Sequence, residues 1–247
     1  MILLKKRRFF APSSFWDDQA IRLDKTQSHH LLHVLRLDIG DVVWCFNESG
    51  SCAKTVVESV LSGRVILTIT QRVFTQKVCS KSLTLAQSII KSNRMDFVIQ
   101  KAVELGVREI IPFFSDRCVI KLDADKTKAK LRRWHNIAVS AAKQSGRTDV
   151  AGIHKIGGFA YLLEKFSDYD TILVTDPYGN TSEGRRDIVQ AQNILAVVGP
   201  EGGFSVSEYE AMYNHPKCVR VSINNNILRS ETAALAVCAI VQYEWMP

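Results

Sequence analysis

Nowhere in this 247-residue chain do about eighteen apolar residues run together, the minimum for a membrane-crossing helix. A transmembrane helix is thereby excluded. Cysteine is scarce and dispersed: Cys45, Cys52, Cys79, Cys118, Cys218 and Cys238 form no CxxC pair, so thiols in a reducing compartment fit better than a disulfide framework. His29, His30 and His33 lack the glutamate of an HExxH arrangement, and His135, His154 and His215 are isolated, so no metal site is expected. A signal peptide puts cations ahead of an apolar run. Here Met1-Ile2-Leu3-Leu4 precedes Lys5-Lys6-Arg7-Arg8 and no long apolar run follows, so a cytoplasmic protein is expected. Acid is also in deficit, with 25 Asp plus Glu against 32 Lys plus Arg and a net charge of +7. That balance favours an anionic partner such as nucleic acid without identifying it, and a plain basic surface explains it equally well.

Two regions differ in period. Arg7 to Phe10, Ala20 to Leu23, Val42 to Phe46, Ala53 to Val60 and Arg64 to Thr70 read as strands, broken by Asn47-Glu48-Ser49-Gly50 and Ser62-Gly63. With one short helix over Gln27 to Leu35, they predict a small β-barrel domain. The polar stretch Gln71 to Lys81 has no clean period, which sets the domains at 1–72 and 73–247. Beyond it strands and helices alternate. Ser82 to Ala86, Arg108 to Phe114, Thr171 to Thr175, Ile194 to Val198 and Cys218 to Ile223 are short apolar strands. Arg94 to Leu105 carries Met95, Val98, Ile99, Ala102 and Leu105 on one helical face, and Gly106 closes it. A longer helix covers Lys126 to Gln144, with Trp134 in its core-facing stripe. The second domain is therefore α/β, with a largely parallel sheet covered on both faces.

Such sheets bind ligands where loops leave the carboxyl ends of strands. Two segments hold that position. In the first, Gly199, Gly202 and Gly203 bracket Pro200 and Glu201, which lets main chain approach a flat ligand with no β-carbon in the way. Ser205 is suited to cap the next helix, with Glu208 as its reciprocal partner. The spacing is neither GxxxxGK[ST] nor GxGxxG, so ATP and dinucleotides lack their usual support. In the second, Asn224, Asn225 and Asn226 follow a strand and suit left-handed or side-chain-bridged turn geometry. Leu228 is placed to close an apolar pocket. Arg229 stands at the start of a helix whose N-cap is read as Ser230. A helix dipole disfavours a cation there, so Arg229 either grips a phosphate or carboxylate or pairs with Glu231, Glu201 or another acid.

Taken together, these residues resemble the bacterial ribosomal RNA small subunit methyltransferase E family, which methylates N3 of a uridine in the decoding region, within the knotted SPOUT superfamily. The resemblance runs end to end: Arg8-Phe9-Phe10, His29-His30 with Val34-Leu35-Arg36, Gln100 to Val107, Pro112 with Arg117, Gln144-Ser145-Gly146-Arg147, the Gly-Pro-Glu-Gly-Gly loop and Ile227-Leu228-Arg229-x-Glu231-Thr232-Ala233. It implies a PUA-like β-barrel for RNA, an α/β trefoil-knot domain for S-adenosylmethionine, and a homodimer acting on 16S rRNA in the small ribosomal subunit. No DNA partner is expected. The cofactor would lie among Thr175, Asp176, Gly199, Pro200, Glu201, Gly202, Gly203, Ile223, Asn224, Asn225, Asn226, Ile227 and Leu228. Two departures stand out: Ile223-Asn224 where the family has leucine-glycine, and Thr148 to Gly152 where it carries a proline-containing run. Asparagine tolerates positive φ better than other non-glycine residues, so the loop is expected to survive.

Under this reading Arg229 orients the uridine or stabilises charge on it, and Glu201 or Glu231 accepts a proton or orients the arginine. Lys5, Lys6, Arg7, Arg8, His30 and Arg36 form the candidate RNA face, and Arg94, Lys101, Arg117 and Arg147 extend it. The competing explanations are a solvated strand edge for Lys5 to Arg8 and a helix surface pair for Lys101 and Glu104. His29 and His30, being adjacent, do not share a helix face, so one packs. Two alternatives remain at this stage: a catalytically silent RNA-binding assembly protein, and a methyltransferase for another RNA or a ribose hydroxyl.

Overall fold

The computed structural model describes residues 7–73, 81–120, 122–179 and 181–246. They divide into two compact units, Met1–Val78 with Val139–Val150, and Cys79–Ala138 with Ala151–Pro247.

The first unit contains β1 (Arg8–Phe10), β2 (Ala20–Arg22), α1 (Lys25–His29, continuing as a π turn over His30–Val34), β3 (Val42–Phe46), β4 (Cys52–Leu61) and β5 (Arg64–Val73). The sheet order is β1-β3-β4-β5-β2; β1 runs parallel to β3 and the other neighbours are antiparallel. Ser62 and Gly63 join β4 to β5 with φ of 49° and 74°. Two successive positive φ angles match the right-handed twist of the strands they link, which is why Ser-Gly serves there. Alternate residues then turn inward, so Val43, Cys45, Ala53, Val57, Val65 and Leu67 join Phe9, Ile21, Leu23 and Leu31 in one core. The helix begins earlier than its apolar pattern suggests, because the Asp24 carboxylate accepts a hydrogen bond from the Gln27 amide at 2.7 Å and caps it.

In the second unit follow β6 (Ser82–Ser88), α2 (Ser92–Glu104), β7 (Glu109–Phe114), α3 (Ala124–Ser145), β8 (Gly152–Ile153), β9 (Gly157–Gly158), α4 (Phe159–Glu164), β10 (Thr171–Thr175), α5 (Thr181–Gln190), β11 (Asn193–Val198), α6 (Val206–Tyr213), β12 (Cys218–Val221) and α7 (Ser230–Trp245). The seven-stranded sheet has the order β12-β10-β11-β6-β7-β8, with β9 also on β7, and every pairing is parallel. Ile172, Val174, Leu195 and Val197 pack with Leu162 of α4 and Met212 of α6. Their neighbours Leu173, Leu85 and Ala196 point the other way by strand alternation, where α7 packs over β6 and β11. Burial on both faces accounts for the continuous apolar runs of these strands.

Gly106 ends α2 with φ of 85°, and Gly146 follows α3 with φ of 79°. Trp134 is buried and donates to Asp96 Oδ1 at 3.2 Å, a core role. Three features depart from expectation. The chain from Val139 to Val150 belongs to the first unit, although α3 is one unbroken helix. Helices α4 and α5 were not anticipated, since α4 spans only six residues and α5 is a mostly polar segment in which Ile188 is buried beside an exposed Val189. Finally, β12 stops at Val221, so Ser222 and Ile223 leave the sheet.

Candidate active site

The loops that leave β10, β11 and β12 lie side by side because those strands are neighbours in the sheet. From β10 the chain steps to β11 on one side and then to β12 on the other, which opens a crevice at the strands' carboxyl ends. A cavity of about 420 Å³ occupies it, within the size range of small-molecule sites. Its walls include Thr175, Asp176 and Pro177 after β10, Val198 to Glu201, Gly203 and Phe204 after β11, and Ser222, Ile223 and Asn226 to Ser230 after β12. Arg94, Tyr209 and Ala233 complete it from α2, α6 and α7. Ten of the thirteen residues expected around a cofactor thus line one cavity; Gly202, Asn224 and Asn225 do not. Phe204 closes the expected Gly199 to Phe204 loop, whereas Tyr209 and Pro177 are additions, and the Pro-Tyr-Gly turn at a strand end was a signal for the second.

The β11 loop shows why glycine recurs in it. Only Gly203 uses positive φ, at 69°. A β-carbon on Gly199 would meet the Phe204 ring at 3.1 Å, and one on Gly202 would press on Arg117 Cβ at 3.4 Å. Arg117 Nη1 in turn donates to Gly202 O at 3.1 Å and braces the loop. Ser205 and Glu208 form the expected capping box, and the buried Glu208 carboxylate also accepts from Ser115 Oγ and the Asp116 amide, both at 3.0 Å.

The β12 loop differs from expectation. No residue from Ser222 to Leu228 has positive φ. Asn224 instead accepts a hydrogen bond from the Asn226 amide at 2.8 Å through Oδ1, while Ser222 Oγ donates to Asn224 O at 2.9 Å. A side-chain-bridged turn thus stands where glycine would supply conformational freedom. Arg229, not Ser230, caps α7, without a side-chain hydrogen bond. Ser230 is buried; its hydroxyl donates to Gly199 O at 2.6 Å and accepts from Gln87 Nε2 at 2.9 Å, tying α7 to the ends of β6 and β11.

Asp176 is only 4% exposed and accepts hydrogen bonds from Tyr213 Oη at 2.6 Å, Arg220 Nη2 at 2.9 Å and the Tyr178 amide at 2.9 Å. Burial pushes its pKa up, but these donors outweigh burial and hold the carboxyl below its usual range. A carboxyl depressed in the folded state stabilises above its unfolded pKa of about 3.9, and that stability is lost as pH falls through the folded value. The melting-temperature gap between wild type and Asp176→Asn is therefore expected to be widest near neutrality and to close below about pH 4. A gap independent of pH would assign Asp176 to packing alone.

Charge at the cavity is arranged around Arg94. Its Nη1 lies 3.6 Å from Glu201 Oε1 and its Nε lies 3.6 Å from Glu231 Oε1. Arg229 is exposed on the cavity wall, and among the described residues no carboxylate pairs with it. Glu201 lines the cavity, whereas Glu231 does not.

Residues 78–242 match the family model described as an RNA methyltransferase domain, and residues 23–70 match the RNA methyltransferase PUA domain. The chain belongs to this RNA methyltransferase family. Ribosomal RNA small subunit methyltransferase E of Bacillus subtilis is 30% identical over 225 residues, covering 87% of each chain. The crystal structure of a ribosomal RNA small subunit methyltransferase E from Neisseria gonorrhoeae bound to S-adenosyl methionine superposes with a TM-score of 0.86 at 31% identity, over 97% of this chain and 98% of that one. A Legionella pneumophila protein solved with its bound cofactor SAM gives 0.87 at 28% identity, with the same coverage. Membership carries the SPOUT trefoil knot with it, and the sheet order above is the parallel architecture that this family shares.

For an RNA methyltransferase, several expected RNA contacts are otherwise engaged. Lys5 and Lys6 lie outside the described residues. Arg8 is 6% exposed, with its guanidinium 4.9 Å from the Phe46 ring and donating to Gly146 O and Arg147 O, so it closes the end of the α3 segment instead of facing RNA. Burial lowers its pKa. His30 packs 5.9 Å from the Phe9 ring, and burial, followed by the nearby Lys143 ammonium, pulls its pKa down; His29 is the exposed member of the pair. Lys101 Nζ sits 2.8 Å from both Glu104 oxygens, the surface-pair reading. Arg147 makes two bonds to Asp149, at 3.1 and 2.8 Å. Arg7 and Arg36 remain exposed, Arg7 in a loose 3.5 Å pair with Asp41. Among the described residues no group of three or more His, Cys, Asp or Glu is placed to hold a metal ion, and no helix is long and apolar enough to cross a membrane.

Proposed function

We propose that this chain transfers a methyl group from S-adenosylmethionine to N3 of a uridine in the 16S rRNA of the small ribosomal subunit. The observation that carries the reading is the cavity formed by the Gly199–Phe204 and Ser222–Arg229 loops at the carboxyl ends of parallel strands, in a chain whose similar relative holds S-adenosyl methionine. Residues 1–72 serve RNA binding and residues 73–247 methyl transfer. The cofactor supplies an electrophilic methyl on a cationic sulfonium. Main chain around Gly199, Pro200 and Gly203, together with Ile223, Ile227 and Leu228, holds it. The protein's remaining work is to bring N3 within about 3 to 3.5 Å of that methyl, in line, and to take up the N3 proton. Arg229, unpaired by any described carboxylate, grips the nucleotide that reaches the cavity.

The protein acts as a cytoplasmic homodimer. Ile240 and Tyr243, three residues apart near the carboxyl end of α7, and Met246 just beyond that end are 39, 73 and 70% exposed, an apolar patch that suits a second copy. The test is incubation of the purified protein with methyl-labelled S-adenosylmethionine and small subunits lacking the modification, with the labelled nucleoside mapped and the protein's size measured in the same buffer. Label at uridine N3 is expected. Intact cofactor binding without label would favour a silent RNA-binding protein, label elsewhere another target, and a strict monomer would remove the dimer.

A further inference from the structure

Arg94 stands on the first turn of α2, yet its side chain reaches the cavity built by the strand-end loops. It meets Glu201 from the β11 loop and Glu231 from α7, each at 3.6 Å, and all three side chains are less than a third exposed. The two carboxylates are not equivalent. Glu201 lines the cavity, and its Oε1 also lies 3.4 Å from the Lys91 amide. Glu231 stands outside the lining, and its Oε2 is buried without a hydrogen-bond partner among the described residues. An unsatisfied buried carboxylate oxygen is costly to retain, which marks Glu231 as held for its effect on Arg94 and not for packing.

We infer that Arg94 and Glu201 together receive the pairing edge of the target uracil, and that Glu231 is a positioning residue acting through Arg94. The assignment rests on the methyl-transfer reading above. Uracil presents N3–H between two carbonyl oxygens. A carboxylate beside a guanidinium presents an acceptor beside a donor, the complement of that edge. In the reaction the N3–H bond breaks and its proton passes to the Glu201 carboxylate. The electron pair left on N3, shared with the flanking carbonyl oxygens, forms the new bond to the methyl carbon while the carbon–sulfur pair stays with sulfur. Arg94 donates to the carbonyl oxygen on which negative charge develops. Neutral uridine, cationic sulfonium and anionic carboxylate thus become methyluridine, neutral thioether and carboxylic acid, and charge balances.

The test compares wild type, Arg94→Ala, Arg94→Lys, Glu231→Gln and the Arg94→Ala/Glu231→Gln double variant. Each is measured by single-turnover methyl transfer at saturating small subunits, by steady-state transfer over a range of small-subunit and salt concentrations, by calorimetric affinity for S-adenosylmethionine, and by thermal unfolding. Arg94→Ala is expected to slow transfer about 10²–10³-fold, the usual effect of removing a donor aimed at developing charge, with cofactor affinity within about threefold of wild type. Arg94→Lys keeps the charge but not the fork and recovers only part of the rate. The double variant is expected to be no slower than Arg94→Ala alone. Wild-type transfer by Arg94→Ala, or a defect confined to a salt-sensitive rise in the KM for RNA, overturns the base-edge role; fully additive losses overturn the positioning role of Glu231. If Arg94→Ala does not fold, Arg94→Gln decides the same comparison. A wild-type enzyme that leaves uridine N3 unlabelled removes both this assignment and the proposed function, and is distinguished from failure of the assignment alone by that control.

Discussion

An Arg229→Ala enzyme is expected to lose about 10²–10³-fold in turnover while binding S-adenosylmethionine nearly as tightly as wild type. Arg229 is the N-cap of α7, where the positive end of the helix dipole makes a cation unfavourable by about 0.3–1 kcal/mol. The carboxylates that could offset this, Glu201 and Glu231, are taken by Arg94 instead. A cation kept at an unfavourable place, exposed on the wall of a cavity and without a described acidic partner, is explained by a ligand that arrives later. A nucleotide supplies the missing negative charge through its phosphate, or through the base as the N3 proton leaves. Because the side chain acts on RNA, the loss belongs in turnover and RNA affinity. Single-turnover rates and cofactor calorimetry separate the two. Unchanged turnover in a folded Arg229→Ala protein would dismiss the role.

Gly179→Ala is expected to weaken cofactor binding about tenfold or more and to lower the melting temperature by several degrees. A β-carbon at Gly179 would lie 2.8 Å from the Val221 carbonyl carbon and 2.9 Å from the Val221 and Ser222 amide nitrogens. Those atoms are backbone, so no rotamer change relieves the overlap. Overpacking of this kind typically costs about 1–3 kcal/mol, and here the displaced segment is the end of β12, from which the cavity loop Ser222 to Arg229 departs. Gly152→Ala is the control, because its β-carbon would make only ordinary contact with Glu109 Cγ at 3.7 Å. Equal effects in the two variants would mean that Gly179 has no special tie to the cavity.

What was legible before any coordinates were those features that local chemistry decides. The alternating strands β3 to β5, the Ser62-Gly63 turn, the buried runs of the parallel sheet, the glycine ends of α2 and α3 and the Ser205–Glu208 capping box each rest on residues a few positions apart. The loops at Gly199 and Asn226 were legible for the same reason, since glycine and asparagine clusters at strand ends report backbone needs directly.

Charge was not legible in this way. Arg8, Arg94, Lys101, Arg117 and Arg147 are alike in composition, yet they serve as a buried donor to carbonyl oxygens, a bridge between two carboxylates, a surface pair, a loop brace and a partner of Asp149. The pairs of Arg94 with Glu201 and Glu231 depend on a distance of about 4 Å between groups more than a hundred residues apart, which no periodicity encodes. The Lys101–Glu104 pair, three residues apart, was the one that helical spacing offered. Asn224 shows the same limit on a smaller scale: its residue type allowed either positive φ or a bridged turn, and the Ser222 and Asn226 contacts chose the second. Fold class, family and the loops that bound the cavity were readable along the chain, because they rest on local patterns of apolar residues, turns and motifs. Which cations face the cavity, which carboxylate stands behind Arg94, and that Gly179 leaves no room beside Val221 emerge from packing between segments remote in the chain, which no local pattern records.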